Sequence, residues 1–149
     1  MKKKNFVRDH SLIAFYNKKW EILFQDRTSK HEKGWVRYGF FGGGVDKWET
    51  FLETCLRETK EELNLDLQEW DVREAVRFAK TVIWIGTSRN IIYVSPWIDS
   101  YEKYLQILEW DAGVWMALEQ AKKEVFFNHD YMVFDLLEKY FEHEWIILW

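Results

Sequence analysis

Apolar and polar positions alternate first in short β-prone runs, then in one stretch of helical period, then in β-prone runs again, and last in helical stretches. SLIAFY and WEILFQ, joined by Asn17-Lys18-Lys19, predict a hairpin, and Arg27 to Lys33 follows as a polar loop. WVRYGFF predicts a strand running into Gly42-Gly43-Gly44, which reads as a glycine turn outside the core. Thr50 is an N-cap with Glu53 three residues on, and Leu52, Cys55, Leu56, Thr59 and Leu63 recur on one side, so a helix is predicted over 50–63. Asn64 tolerates the left-handed conformation in which helices commonly stop. VREAVRFAKTVIWI, NIIYVSPWI and YLQILEW predict three strands, with Gly86-Thr87-Ser88 turning between the first two. MALEQAKKE and HDYMVFDLLEKYF predict two helices, the second with Met132, Leu136, Leu137 and Tyr140 as its apolar stripe. This order predicts an α/β fold, a mixed β-sheet sandwiched between helices, as a single domain over residues 1–149.

A net charge of −4 argues against a long nucleic-acid partner, because neutralising many phosphates needs a concentrated cationic face. No apolar run approaches a membrane span and no apolar leader follows Lys2-Lys3-Lys4, which reads as a solvated tail, so the expected location is cytoplasmic. Cys55 is the only cysteine, which excludes an internal disulfide, and its place on the apolar side of the helix predicts burial. The 10 Trp, 11 Phe and 7 Tyr are expected mostly to fill the core. The apolar end, Trp145 to Trp149, is expected either to complete that core or to form a homodimer interface.

On the predicted helix, Glu58, Glu61 and Glu62 fall within about 100° of arc beside the apolar stripe. Held about 6 Å apart at an effective dielectric near 20, each like-charged pair would cost about 3 kcal/mol. A divalent cation removes that cost, and oxygen-only ligation suits Mg²⁺, or Mn²⁺ in its place. Glutamates on a solvated helix face are common, and the cluster alone decides little. Other templates fail. Lys47 lies three residues beyond Gly44 and is followed by Trp48, so no phosphate-cradling Gly-x4-Gly-Lys-Ser/Thr loop is present, and the four histidines lack metal-ligand spacing.

The segment Gly43, Glu49, Arg57, Glu58, Thr59, Glu61, Glu62, Asn64 and Leu65 resembles the signature of the Nudix hydrolase family. Six charged or glycine positions are in register, a chance match on the order of one in ten thousand or rarer at this composition. Thr59 replaces an apolar residue and Asn64 a glycine. Trp48 stands where a glycine commonly precedes the Glu49 position, and its ring is strained if that turn requires φ > 0. LEWDAGVWMALEQA is similar to the family's later acidic loop and short helix.

The resemblance implies a Mg²⁺-dependent hydrolase cleaving a nucleoside diphosphate linked to another moiety, with a small nucleotide-type diphosphate as its partner. It implies Glu58, Glu61 and Glu62, with the Gly42 carbonyl, as metal ligands, and Glu58 or Glu109 as the group accepting the proton of water. Asp111 is the second choice for the distal carboxylate. Arg57 is the cation orienting the glutamates, through Glu61 or Glu53 four residues to either side. From residue type alone, Arg27, Arg37 and Trp48 are the expected substrate contacts, two for phosphates and one for a base, with Arg89 as a further phosphate candidate and Tyr38, Phe40 or Trp84 as alternatives for the base. The competing expectation is a non-catalytic nucleotide-binding module on the same fold.

Overall fold

A computed structural model describes residues 8–33, 36–124 and 130–147. Among these, seven strands form one mixed sheet: β1 (His10–Tyr16), β2 (Glu21–Asp26), β3 (Tyr38–Gly39), β4 (Phe41–Gly44), β5 (Arg73–Val82), β6 (Gly86–Pro96) and β7 (Ala112–Ala117). The helices are α1 (Thr28–His31), α2 (Phe51–Leu63), α3 (Asp99–Tyr104), α4 (Leu118–Ala121) and α5 (Asp130–Ile147). The order is β3-β2-β1-β6-β5, with β4 also on β1 and β7 also on β2. β1 runs parallel to β6, from His10 opposite Asn90 to Tyr16 opposite Pro96, and antiparallel to β2 and β4.

Strand alternation divides the apolar residues between the two faces of the sheet. Ala14, Phe24, Phe40 and Ile92 pack with Leu118 of α4 and with Val133, Phe134 and Leu137 of α5. Ile13, Phe15, Phe41 and Ile91 pack with Cys55 and Leu63 of α2 and with Leu65 beyond it. The sheet thus lies between helices in a single domain, as the sequence predicts. Among the described residues no helix is long and apolar enough to cross a membrane.

Several elements differ from expectation. Gly42–Gly44 is not a turn but most of β4, because the absence of side chains lets it lie close on β1: a Cβ on Gly42 would sit 2.2 Å from the Ser11 carbonyl oxygen. YLQILEW is not a strand. Tyr104 ends α3, and in the loop after it the Gln106 and Leu108 amides donate to the Leu63 and Glu62 carbonyls at the end of α2, at 3.0 and 2.9 Å. The helix read into MALEQAKKE shrinks to α4, since Met116 and Ala117 extend β7 along β2. The Arg27 to Lys33 loop contains the short helix α1. The turn between β5 and β6 falls on Ile83-Trp84-Ile85, not on Gly86 to Ser88, which pair within β6.

The apolar stripe of α5 is set by Val133, Phe134 and Leu137, with Leu136 and Tyr140 at its border and Met132 exposed. Phenylalanines, not tryptophans, fill the core: Trp20, Trp48, Trp70 and Trp84 are exposed. Lys2 to Lys4 and the side chains of Trp145 to Trp149 lie outside the described residues.

Candidate active site

α2 is fixed at both ends by its own sequence. The Thr50 side chain accepts a hydrogen bond from the Glu53 amide, and Asn64 closes the helix at φ 58° with its amide donating to the Lys60 carbonyl. The Ser11 hydroxyl of β1 donates to the Phe51 carbonyl at 2.6 Å, seating the first turn on the sheet. Cys55 is buried as predicted. The Thr59 hydroxyl donates to the Cys55 carbonyl at 2.7 Å, so the polar atom at an expected apolar position is satisfied without leaving the core.

The three helix glutamates, which a helical wheel places in one arc, meet three different environments. Glu62 is buried at 2% exposure, and one oxygen, Oε2, accepts from the Gly42 amide at 3.0 Å and from Gln25 Nε2 at 3.2 Å. Burial, with the charges of Glu58 and Glu109 adding to it, pushes its pKa up to about 8 against the hydrogen bonds from Gly42 and Gln25. Glu58 lies over β4 so closely that a Cβ on Gly43 would fall 2.4 Å from its Oε1. Its carboxyl is raised too, first by desolvation and then by Glu61 and Glu109, against the pull of Arg57. Glu61 is half exposed.

Arg57 is the hub of the charged network. Its Nε and Nη2 donate to the two oxygens of Glu49 at 2.7 and 2.8 Å, and its Nη1 donates to Glu58 at 2.9 Å and to Glu61 at 3.1 Å. Glu49 also accepts from the Thr54 hydroxyl, and the Arg57 guanidinium above all holds its carboxyl down at about 2. Of the two pairings expected for Arg57, that with Glu61 forms and that with Glu53 does not. Glu49 as its principal partner was not foreseen, although it occupies a signature position.

Glu109 lies exposed on the loop tied to the end of α2, near enough for its charge to raise the proton affinity of Glu58 and Glu62. Asp111 turns away, accepting from the amide and hydroxyl of Ser29 at 2.7 and 2.8 Å. Trp48 is 90% exposed at φ 74°, with the Lys47 ammonium 5.1 Å from its ring, so the strain foreseen at that position is present. Arg37 Nε is buried without a hydrogen-bond partner, while its guanidinium carbon lies 4.8 Å from the Tyr38 ring. Arg27 donates from Nε and Nη2 to Gln25 Oε1. Gln25 is a site residue the sequence reading missed; its only signal was a glutamine directly after the apolar run Ile22-Leu23-Phe24.

Among the described residues no three His, Cys, Asp or Glu side chains close around a single point. Glu58 and Glu61 hold Arg57, and Glu62 is held by β4 and β2. The donors are nonetheless all oxygens, and they include a desolvated carboxylate whose charge two neighbouring carboxylates oppose. That chemistry fits a hard divalent cation.

A mixed sheet between helices, with an arginine-braced acidic helix laid against a strand of glycines, is the architecture of one class of protein. The model of the NUDIX domain family matches residues 7–136, and the chain belongs to that family. The enzyme class read from the signature, a Nudix-type hydrolase, agrees with this membership. No curated protein sequence matches the chain.

Solved structures with the same fold include a MutT protein from Methanosarcina mazei, 16% identical, covering 92% of this chain and 94% of its own at TM-score 0.68. A MutT NUDIX hydrolase from Burkholderia pseudomallei is 21% identical, covering 88% and 95% at TM-score 0.65. An Ap4A hydrolase of C. elegans is 19% identical, covering 91% and 97% at TM-score 0.61.

Proposed function

We propose that the chain hydrolyses a nucleoside diphosphate linked to another moiety, by attack of water on phosphorus, in a reaction dependent on Mg²⁺ or Mn²⁺. The observation that carries this reading is a pair of desolvated carboxylates beside the glycines of β4, Glu62 with its proton affinity raised further by the charges of Glu58 and Glu109, and Glu58 with its own raised by those of Glu61 and Glu109. Glu58, Glu61 and Glu62, with the Gly42 carbonyl, are the residues that would hold the cation. When bound, it would neutralise charge on phosphate oxygens and make a bound water more acidic.

Glu58 or Glu109 takes the proton from the attacking water, since the charges of both reach the buried Glu62 carboxyl. Arg57 keeps Glu58 and Glu61 in place through hydrogen bonds of about 3 Å. Arg37, with its unsatisfied buried nitrogen, and the exposed ring of Trp48 are the contacts assigned to phosphate and base; Arg27 donates to Gln25 instead. A small nucleotide substrate and a cytoplasmic site of action complete the reading.

The test is a sweep of nucleoside triphosphates, oxidised nucleotides, sugar nucleotides and dinucleoside polyphosphates with Mg²⁺, run on the full chain and on Glu62→Gln. Turnover of one class, lost in the variant, is expected. Absence of hydrolysis throughout, or activity indifferent to Glu62→Gln, refutes it. Stabilisation by a nucleotide without turnover would instead identify a binding module.

A further inference from the structure

Gln25 is 1% exposed near the end of β2, directly after the buried apolar run Ile22-Leu23-Phe24. A buried primary amide needs partners for both its oxygen and its nitrogen. Gln25 finds them in two charged groups: Oε1 accepts from Arg27 Nε at 3.0 Å and Nη2 at 2.8 Å, and Nε2 donates to Glu62 Oε2 at 3.2 Å. The amide could otherwise turn over, placing its oxygen against the carboxylate. Two guanidinium donors forbid that orientation, because turning would set them against the amide nitrogen.

Arg27 is itself confined. A Cβ on Gly39 would stand 2.6 Å from its Nη2, so that position leaves room for the guanidinium only as glycine. Its guanidinium carbon lies 4.5 Å from the centre of the Trp110 ring, next in sequence to Glu109. The far end of this chain of contacts is one oxygen. Gly42 and Gln25 both donate to Glu62 Oε2, and among the described residues no donor reaches Oε1.

We propose that Gln25 and Arg27 are positioning residues that lock Glu62 so that Oε1 alone faces the divalent cation, Arg27 acting through Gln25. This rests on the metal-dependent reading above, and it assigns Arg27 to the carboxylate side of the site and not to a substrate phosphate. The amide also spares Glu62 a neighbouring charge: it supplies a donor to the carboxylate without the full positive charge that would compete with a cation.

Binding of Mn²⁺ is the direct readout, followed by electron paramagnetic resonance of the free ion on the full-length chain. The proteins compared are unsubstituted, Gln25→Met, Arg27→Met, Arg27→Lys and the double Gln25→Met/Arg27→Met, each with its metal-free melting curve. Gln25→Met is expected to weaken Mn²⁺ about 10- to 100-fold, the usual loss when a residue orienting a ligand is removed. Arg27→Met is expected to weaken it less, with Arg27→Lys between. The double variant should bind no worse than Gln25→Met, because an arginine acting through Gln25 has nothing left to position once the amide is gone.

Two independent losses that multiply in the double variant, or unchanged affinity in both single ones, overturn the proposal. Should Gln25→Met fail to fold, the half-buried Arg27 variants decide alone, unchanged affinity counting against it. Absence of Mn²⁺ binding by the unsubstituted protein refutes the metal-dependent reading and takes this inference with it, an outcome distinct from binding that ignores both residues.

Discussion

Replacing Glu62 by glutamine should stabilise the metal-free fold while abolishing metal-dependent turnover. The carboxyl, ordinarily at 4.5, stands at about 8 because burial disfavours its charge. A raised acid retains its proton in the folded state at pH values where the unfolded chain has lost it. Its cost to stability is therefore absent below about 4.5, grows through the interval, and is complete above about 8. At pH 7 that interval spans roughly 2.5 pH units at about 1.4 kcal/mol each, an upper bound of about 3.5 kcal/mol. Glutamine presents one oxygen that can still accept from Gly42 and Gln25, so little is lost in return. Urea unfolding of both proteins in chelator, from pH 4.5 to 8.5, should show the variant ahead by about 1–3 kcal/mol at neutral pH, with the gap closing towards pH 4.5. A variant less stable at pH 7.5, or a gap independent of pH, would refute the reasoning.

Glu49 predicts the opposite slope. Held at about 2 by Arg57, it contributes stability above pH 4.5 that disappears as the pH falls towards 2. Arg57→Leu should cost about 2–3 kcal/mol at pH 7 and flatten that acid arm in pH-dependent denaturation; an unaltered acid arm counts against it. Gly43→Ala and Gly42→Ala should separate chemistry from folding. The first meets the movable end of Glu58 and should leave a folded protein with turnover down about 100-fold, whereas the second meets the Ser11 backbone at φ 134° and should lose several kcal/mol, roughly 2–4. Melting curves and turnover on both variants check the order, and its reversal would overturn it. Trp48→Gly, which relieves a left-handed exposed residue, should raise stability by about 1 kcal/mol after the added chain entropy of glycine; a lower melting temperature would show that the ring has partners beyond Lys47.

α2 was legible to its last residue because its signals are local: a capping box, an apolar period and an asparagine able to turn left-handed. The β1–β2 hairpin was legible for the same reason. What α2 meets was not legible, since burial of Glu62 and half-exposure of Glu61 are decided by β2 and β4, twenty and more residues upstream. YLQILEW has the composition of a strand, yet the last carbonyls of α2 take its amides. Pairing with β2 likewise overrode the helical propensity of Met116 and Ala117. The tryptophans misled because ring size predicts burial only where the backbone cooperates; Trp20, Trp48 and Trp84 all stand at positive φ in turns. Glu109 could be named from the resemblance alone, because nothing near it in sequence marks it apart from any surface glutamate.

β1 is shared by three partners: β6 along its length, β4 over its first half and β2 at its end. It also anchors the start of α2 through Ser11. A strand so placed is among the last to exchange its amide hydrogens, since opening it requires the sheet to come apart on both sides. The acidic site hangs directly from it. Heat should therefore inactivate this protein in one step with global melting, without the earlier loss of activity seen where a catalytic loop frays from a surviving core.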